Sequence, residues 1–264
     1  MAAMKMAPQR RRGKPHALAM LGPPPYVGDR EYRKTRSGTM KLHADLSERA
    51  VVLSEDLPWR DSPLPGVQRR MLERDGEEVA RATSIVRYAP NSSFSPHSHG
   101  GGEEFLVLEG VFSDEHGDFG PGSYVRNPPG SKHTPRSAPG CTIFVKLRQM
   151  TPDDTETVRI DTARASWQPG PVEGASHLPL YAGPAERVGL VRFAPGTQGS
   201  RHSHPGGEEI FVLEGTLADE HGRYPKGSWV RNPPGSEHAP FSDEGCLFYI
   251  KSGHLAPQAA AAVG

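Results

Sequence analysis

Residues 97–146 and 202–251 align without a gap at an offset of 105, and 30 of the 50 paired positions are identical. Self-similarity over so long a stretch means two copies of one folding unit, each of ordinary domain size, so any fold assigned to one half must suit the other. A weaker match continues upstream, with 85–90 facing 190–195, until the lengths diverge near Trp59 and Trp167. The expected division is a leader over 1–42, a first domain over 43–158, a second over 159–256 and a tail over 257–264.

Within each copy, short apolar runs alternate with turn residues. Gly and Pro together occupy 57 of 264 positions and apolar residues 35%, which suits a turn-rich β protein and disfavours long helices. Strands are predicted over 84–88, 104–108, 123–125 and 142–147, and again over 189–193, 209–213, 228–230 and 247–250. Asp114-Glu115-His116-Gly117 and Asp219-Glu220-His221-Gly222 read as hairpin turns, with His116 and His221 as surface turn residues. Several short antiparallel strands in about 100 residues imply a small sandwich or barrel, which hides most sheet edges.

Charge and cysteine content remove several function classes. Basic and acidic side chains balance at 31 each, so nothing in the whole chain draws it to nucleic acid or to an anionic membrane. The imbalance is local. Residues 1–40 carry a net charge of +7, contain Pro23-Pro24-Pro25 and lack hydrophobic period, so a disordered leader is expected. The apolar runs 105–108 and 210–213 fall far short of a bilayer span, and 17–21 is too short for a secretory core. Two cysteines, Cys141 and Cys246, are too few for a disulfide scaffold or a four-thiolate zinc site; they are expected to pack as small hydrophobes in a cytoplasmic protein.

Six of the twelve histidines recur at the repeat offset: His97, His99 and His133, then His202, His204 and His238. Residues two apart on an extended strand point the same way, so His97 and His99 can aim two imidazoles at one point. Glu103, after Gly100-Gly101-Gly102, and His133, after Pro128-Pro129-Gly130, stand ready to join from neighbouring strands. Glu208 and His238 repeat those roles. Three imidazoles and a carboxylate form a borderline-hard donor set suited to Zn(II), Fe(II) or Mn(II). Arg126 and Arg231, beside the Pro-Pro turns, are candidates for orienting an anionic substrate.

These residues carry a resemblance to the cupins. The first cupin motif is matched by His97, His99, Glu103 and Gly110, and the second by Gly122, Pro128, Gly130 and His133. The later copy matches through His202, His204, Glu208, Gly215, Gly227, Pro233, Gly235 and His238. Two positions depart: Asn91 stands where the first motif opens with Gly, and Ser137 and Ser242 stand where the second ends with Asn. The wording around Asp114-Glu115 and Val125-Arg126-Asn127-Pro128-Pro129-Gly130 is most similar to ChrR-like cupins, the ligand-responsive half of a zinc-dependent anti-sigma factor. The resemblance implies an all-β chain of two tandem jelly-roll barrels, the double-stranded β-helix, holding two divalent ions per chain.

Two functions from different classes follow. One is a metal-binding bicupin acting as a small-molecule-responsive or regulatory module; residues 1–42 hold no Cys, so sigma-factor capture through a separate zinc domain is not expected. The other is a metal-dependent oxidoreductase of the cupin dioxygenase type acting on a small oxygenated or diketone-like substrate, with Glu104 or Arg126 as proton shuttle or substrate anchor. A small-molecule ligand is the expected partner, together with a second copy of the chain in a homodimer.

Overall fold

The computed structural model describes residues 33–34 and 39–256. The rest of the expected leader and the tail over 257–264 lie outside the described residues. Met40–Leu42, at the end of that leader, is instead a strand paired with Val67–Asp75, so ordered structure begins before residue 43.

Every ladder among the described residues is antiparallel. The main sheet of the first barrel runs, edge to edge, through Arg33–Lys34, Met40–Leu42, Val67–Asp75, Arg81–Tyr88, Cys141–Leu147, Glu103–Gly110, Ser123–Asn127 and Val158–Asp161. That of the second runs through Gln168–Pro169, Ala175–Ala182, Arg187–Phe193, Cys246–Ser252, Glu208–Asp219, Ser228–Asn232 and Ala50–Leu53. The predicted strands all fall within these. A short pair, His97–Ser98 with Lys132–His133, crosses the mouth of the first barrel, and His202–His204 with Ser236–His238 does so in the second.

The last strand of each main sheet comes from the other repeat's side of the chain. Ala50–Leu53 pairs with Ser228–Asn232, whereas Val158–Asp161, which leads into the second repeat, pairs with Ser123–Asn127 of the first. The barrels therefore exchange edge strands, and the expected boundaries at 43 and 158 divide the sequence but not the sheets.

Both faces of each main sheet are covered. In Glu103–Gly110, Phe105 and Val107 enter the core of their own barrel, while Leu106 enters a shared core with Tyr124, Phe144, Phe211, Trp229 and Tyr249. Phe144 stacks on Phe211 across the two repeats, with ring centroids 4.6 Å apart. A strand buried on both sides loses the apolar-polar alternation of a solvated sheet. This is why all five residues of Ser123–Asn127 are buried.

Among the apolar side chains lies a buried ion layer that also obeys the repeat. Lys251 bridges Glu104 at 2.5 Å and Glu186 at 3.1 Å, and its counterpart Lys146 pairs with Glu209. The Lys251–Glu104 and Lys146–Glu209 bridges join one repeat to the other. Arg126 bonds Glu104, Asp154 and Glu186; Arg231 reaches Glu73 and the carbonyls of His43, Asp45 and Glu48.

His254 sits in the same layer, with Nε2 2.5 Å from Glu209. Burial lowers its pKa to about 4, against the upward pull of Glu209. The unfolded imidazole, titrating near 6.5, takes a proton first as pH falls. Stability from the neutral His254 is therefore complete above pH 6.5 and lost on the way down to about 4, by about 3 kcal/mol. His254→Gln is expected to flatten the dependence of the urea midpoint on pH across that window; an unchanged slope would assign the loss to other groups.

Two backbone positions explain motif residues. Gly110 has φ +70°, and a Cβ there would lie 2.0 Å from the Gly140 carbonyl oxygen; Gly215 repeats this against Gly245. Asn91, the departure from the motif, has φ 59° where its counterpart Gly196 has 81°. Asn is the side chain that tolerates the left-handed region best after Gly, so the turn survives.

Candidate metal centres

In the first repeat the register places His133 opposite His97. His99 N–H donates to the Ser131 carbonyl and Gly130 N–H to the His99 carbonyl, which pins the Pro-Pro-Gly turn under the histidine pair. Glu103 opens the adjoining strand, with Asn127 Nδ2 3.4 Å from its Oε2. The three imidazoles meet edge to face, with ring centroids 4.6 to 5.2 Å apart.

Hydrogen bonding fixes which nitrogen faces the centre. Ser131 Oγ donates to the Pro128 carbonyl, so it accepts from His99 Nδ1 at 2.9 Å. His133 Nδ1 donates to Asp114 at 3.3 Å, and His97 Nδ1 to the Ser95 carbonyl at 3.3 Å. Each ring therefore spends its proton outward and presents Nε2 as a lone pair. His99 and His133 bring these atoms within 3.2 Å of each other, and Glu103 Oε2 lies 3.4 and 3.6 Å from them. Buried acceptors that face one another, with Asn127 Nδ2 at 3.4 Å as a long donor to Glu103, are costly unless a cation joins them.

The second repeat rebuilds the arrangement. His202 stands opposite His238, and their Nδ1 atoms donate to the Ser200 carbonyl at 2.8 Å and to Asp219 at 3.3 Å. Glu208 Oε1 lies 3.4 Å from His204 Nε2 and 3.3 Å from His238 Nε2, and accepts from Asn232 at 2.9 Å. His204 Nε2 is buried with no hydrogen-bond partner. In each copy the three ring ligand atoms lie within 4.8 Å of one another, a group that could hold a metal ion.

Electrostatics separates the rings. Burial lowers the pKa of His99, and that of His204 to about 4, with His238 and His202 adding to the latter. His133 and His238 are raised, because their bonds to Asp114 and Asp219 and the nearby Glu charges outweigh burial. In both centres one histidine, His97 or His202, is exposed while the other ligand candidates are buried. Each cluster opens to solvent on that side.

All eight sequence-predicted metal ligands come together, four in each barrel. Arg126 and Arg231, expected to orient a substrate, do not. They lie on the opposite face of their strands, 0% and 1% exposed, within the ion layer between the barrels. Glu104 shares that location. Sequence reasoning missed Asp114 and Asp219, reading the Asp-Glu-x-Gly turns only as turns. The signal was present: a turn with the same acidic pair in both copies. Glu115 and Glu220 accept from Thr134 N–H and Ala239 N–H, holding each turn against the strand that carries the third histidine.

Two β barrels, each with three imidazoles and a carboxylate at one mouth, define a bicupin. The ChrR cupin-like domain model matches residues 47–151 and 155–256, and the chain belongs to that family. No curated protein matches it. Among solved structures it is similar to a candidate dioxygenase from Nostoc punctiforme, with TM-score 0.67, 16% identity, and coverage of 81% of this chain and 85% of that one. YlbA from E. coli gives TM-score 0.63, 17% identity, and coverage of 80% and 93%. Oxalate decarboxylase from Lactobacillus farciminis, a formate complex, gives 0.55, 11%, and coverage of 77% and 85%. No helix among the described residues is long and apolar enough to cross a membrane.

Proposed function

We propose that the chain holds two divalent ions, one in each barrel, and serves as a small-molecule-responsive or regulatory bicupin whose ions take an oxygen-donor ligand on their solvent side. The observation that carries this reading is the convergence of lone pairs. His97, His99 and His133 turn Nε2 inward beside the Glu103 carboxylate, and their protons are bonded elsewhere. Zn(II), Fe(II) and Mn(II) all suit three nitrogens and an oxygen.

When bound, such an ion supplies Lewis acidity to an oxygen ligand. The chain's residues do the remainder. His99, His133 and Glu103 hold the ion from the buried side and His97 from the solvent side, while Ser131 and Asp114 keep two rings in the ligating tautomer. His202, His204, Glu208 and His238 repeat this with Asp219. Glu104 and Arg126 are committed to ion pairs on the far face, which favours ligand binding over proton transfer. The two free cysteines, both buried, support a reducing, cytoplasmic setting.

A metal-dependent dioxygenase is the second reading, favoured by the structural likeness to the candidate dioxygenase and by the open side at His97 and His202. Fe(II)-loaded protein exposed to nitric oxide tests the open face, and a nitrosyl signal in electron paramagnetic resonance is expected. Loaded protein that gives no adduct would overturn small-molecule binding at the ion. Oxygen uptake with a small diketone would replace the regulatory reading with the enzymatic one.

A further inference from the structure

The two centres share their ligands and differ in what stands behind them. In the second, Arg49 reaches in from the exchanged segment of the first repeat. Its Nε donates to Asn232 Oδ1 at 2.9 Å, and Asn232 Nδ2 donates to Glu208. Its Nη2 donates to the Tyr224 hydroxyl, which donates to Asp219 Oδ1 at 2.6 Å, and Asp219 holds His238. One guanidinium thus steadies two ligands through two relays.

The first centre has neither part. Phe119 stands at the repeat position of Tyr224 and has no hydroxyl. Val158 pairs with Arg126 as Ala50 pairs with Arg231, so Thr157 occupies the place of Arg49. Asp114 accepts from His116 N–H and His133, without the tyrosine and arginine that restrain Asp219.

The segment bearing Arg49 is anchored elsewhere too, His43 Nδ1 lying 2.7 Å from the Leu72 carbonyl. Arg231 donates to the carbonyls of His43, Asp45 and Glu48, and Ala50–Leu53 then joins the sheet edge. Anything that orders Asn232 and Asp219 favours this docking, and docking in turn favours whatever those residues hold.

We propose that Arg49 is a positioning residue for the second metal centre, making it the tighter of the two and linking its ion to the docking of residues 43–53, while the first centre is the exchangeable one. This rests on the metal-binding reading above. Outer partners of metal ligands affect affinity by about 10–100-fold, and linkage between two binding events is reciprocal. Lysine offers one point charge where Arg49 uses two separate nitrogens, so it substitutes only in part.

The test uses full-length chains that retain one centre each, with Zn(II) affinity read by competition with a chromophoric chelator. In a His99→Ala chain, Arg49→Ala is expected to weaken binding about 10–100-fold, Tyr224→Phe to weaken it less, and Arg49→Lys to recover part of the loss. The Co(II) absorption bands should shift in the same order. In a His204→Ala chain, the same three changes should leave affinity and bands unaltered. Zinc at the second centre should also slow amide exchange across Ala50–Leu53, and zinc at the first should not. Equal losses at both centres, no loss at the second, or exchange indifferent to zinc would overturn the inference and leave metal binding standing. Failure of both single-centre chains to bind zinc or cobalt would overturn both readings together.

Discussion

Lys251→Ala is expected to destabilise the protein by about 3–5 kcal/mol, because it strips a buried carboxylate of its nearest cation. Lys251 is 0% exposed, and its ammonium lies between Glu104 and Glu186 in the layer that joins the barrels. Burial alone would raise the Glu104 carboxyl, but Lys251 and then Arg126 hold it down to about 2. Removing the lysine leaves an anion that water cannot reach. The urea midpoint should fall with little change in slope. Lys251→Met combined with Glu104→Gln should recover much of the loss, since removing both charges abolishes the desolvation cost that either bears alone. A loss below about 1 kcal/mol would mean the pair behaves as a solvated surface bridge.

His99→Ala and His204→Ala are each expected to remove one bound ion and leave the other. Elemental analysis of the metal-loaded chain should fall from two ions to one with either substitution and to none with both. His99 is the better member of its trio for this purpose. It is buried, its Nδ1 is committed to Ser131, and its Nε2 lies 3.2 Å from that of His133, so a neighbouring side chain has no room to replace it. Loss of a ligand should exceed the roughly 10–100-fold effect of losing an outer partner. If one substitution empties both centres, the barrels do not bind independently.

The duplication made the fold, and the grouping of three histidines with a glutamate in each copy, legible from the sequence. A lone His-x-His could be a surface accident, but the same spacing with Glu and a distant His at a constant offset restricts both copies to one arrangement. The arginines were misread for a definite reason. Strand alternation shows that Arg126 and Val125 face opposite ways, but not that a second barrel covers the outer face. A charged residue beside a ligand-bearing turn therefore resembled a substrate anchor. Arg49 was out of reach for a related cause: its partners Asn232 and Tyr224 lie about 180 residues away, and only the strand exchange brings them together. Asp114 and Asp219 were nearer to hand, since a turn that needed only its geometry would not require an acidic side chain aimed at a histidine.

The traded edges have a consequence for the newly made polypeptide. Ala50–Leu53 leaves the ribosome about 180 residues ahead of its hydrogen-bonding neighbour, Ser228–Asn232. The first half must wait, with that stretch unsatisfied, until Ser228–Asn232 has been made. Pairings so distant along the chain are slow to form and late to close. The final ladder laid down is then a clasp, and neither half reaches its finished shape before the other arrives.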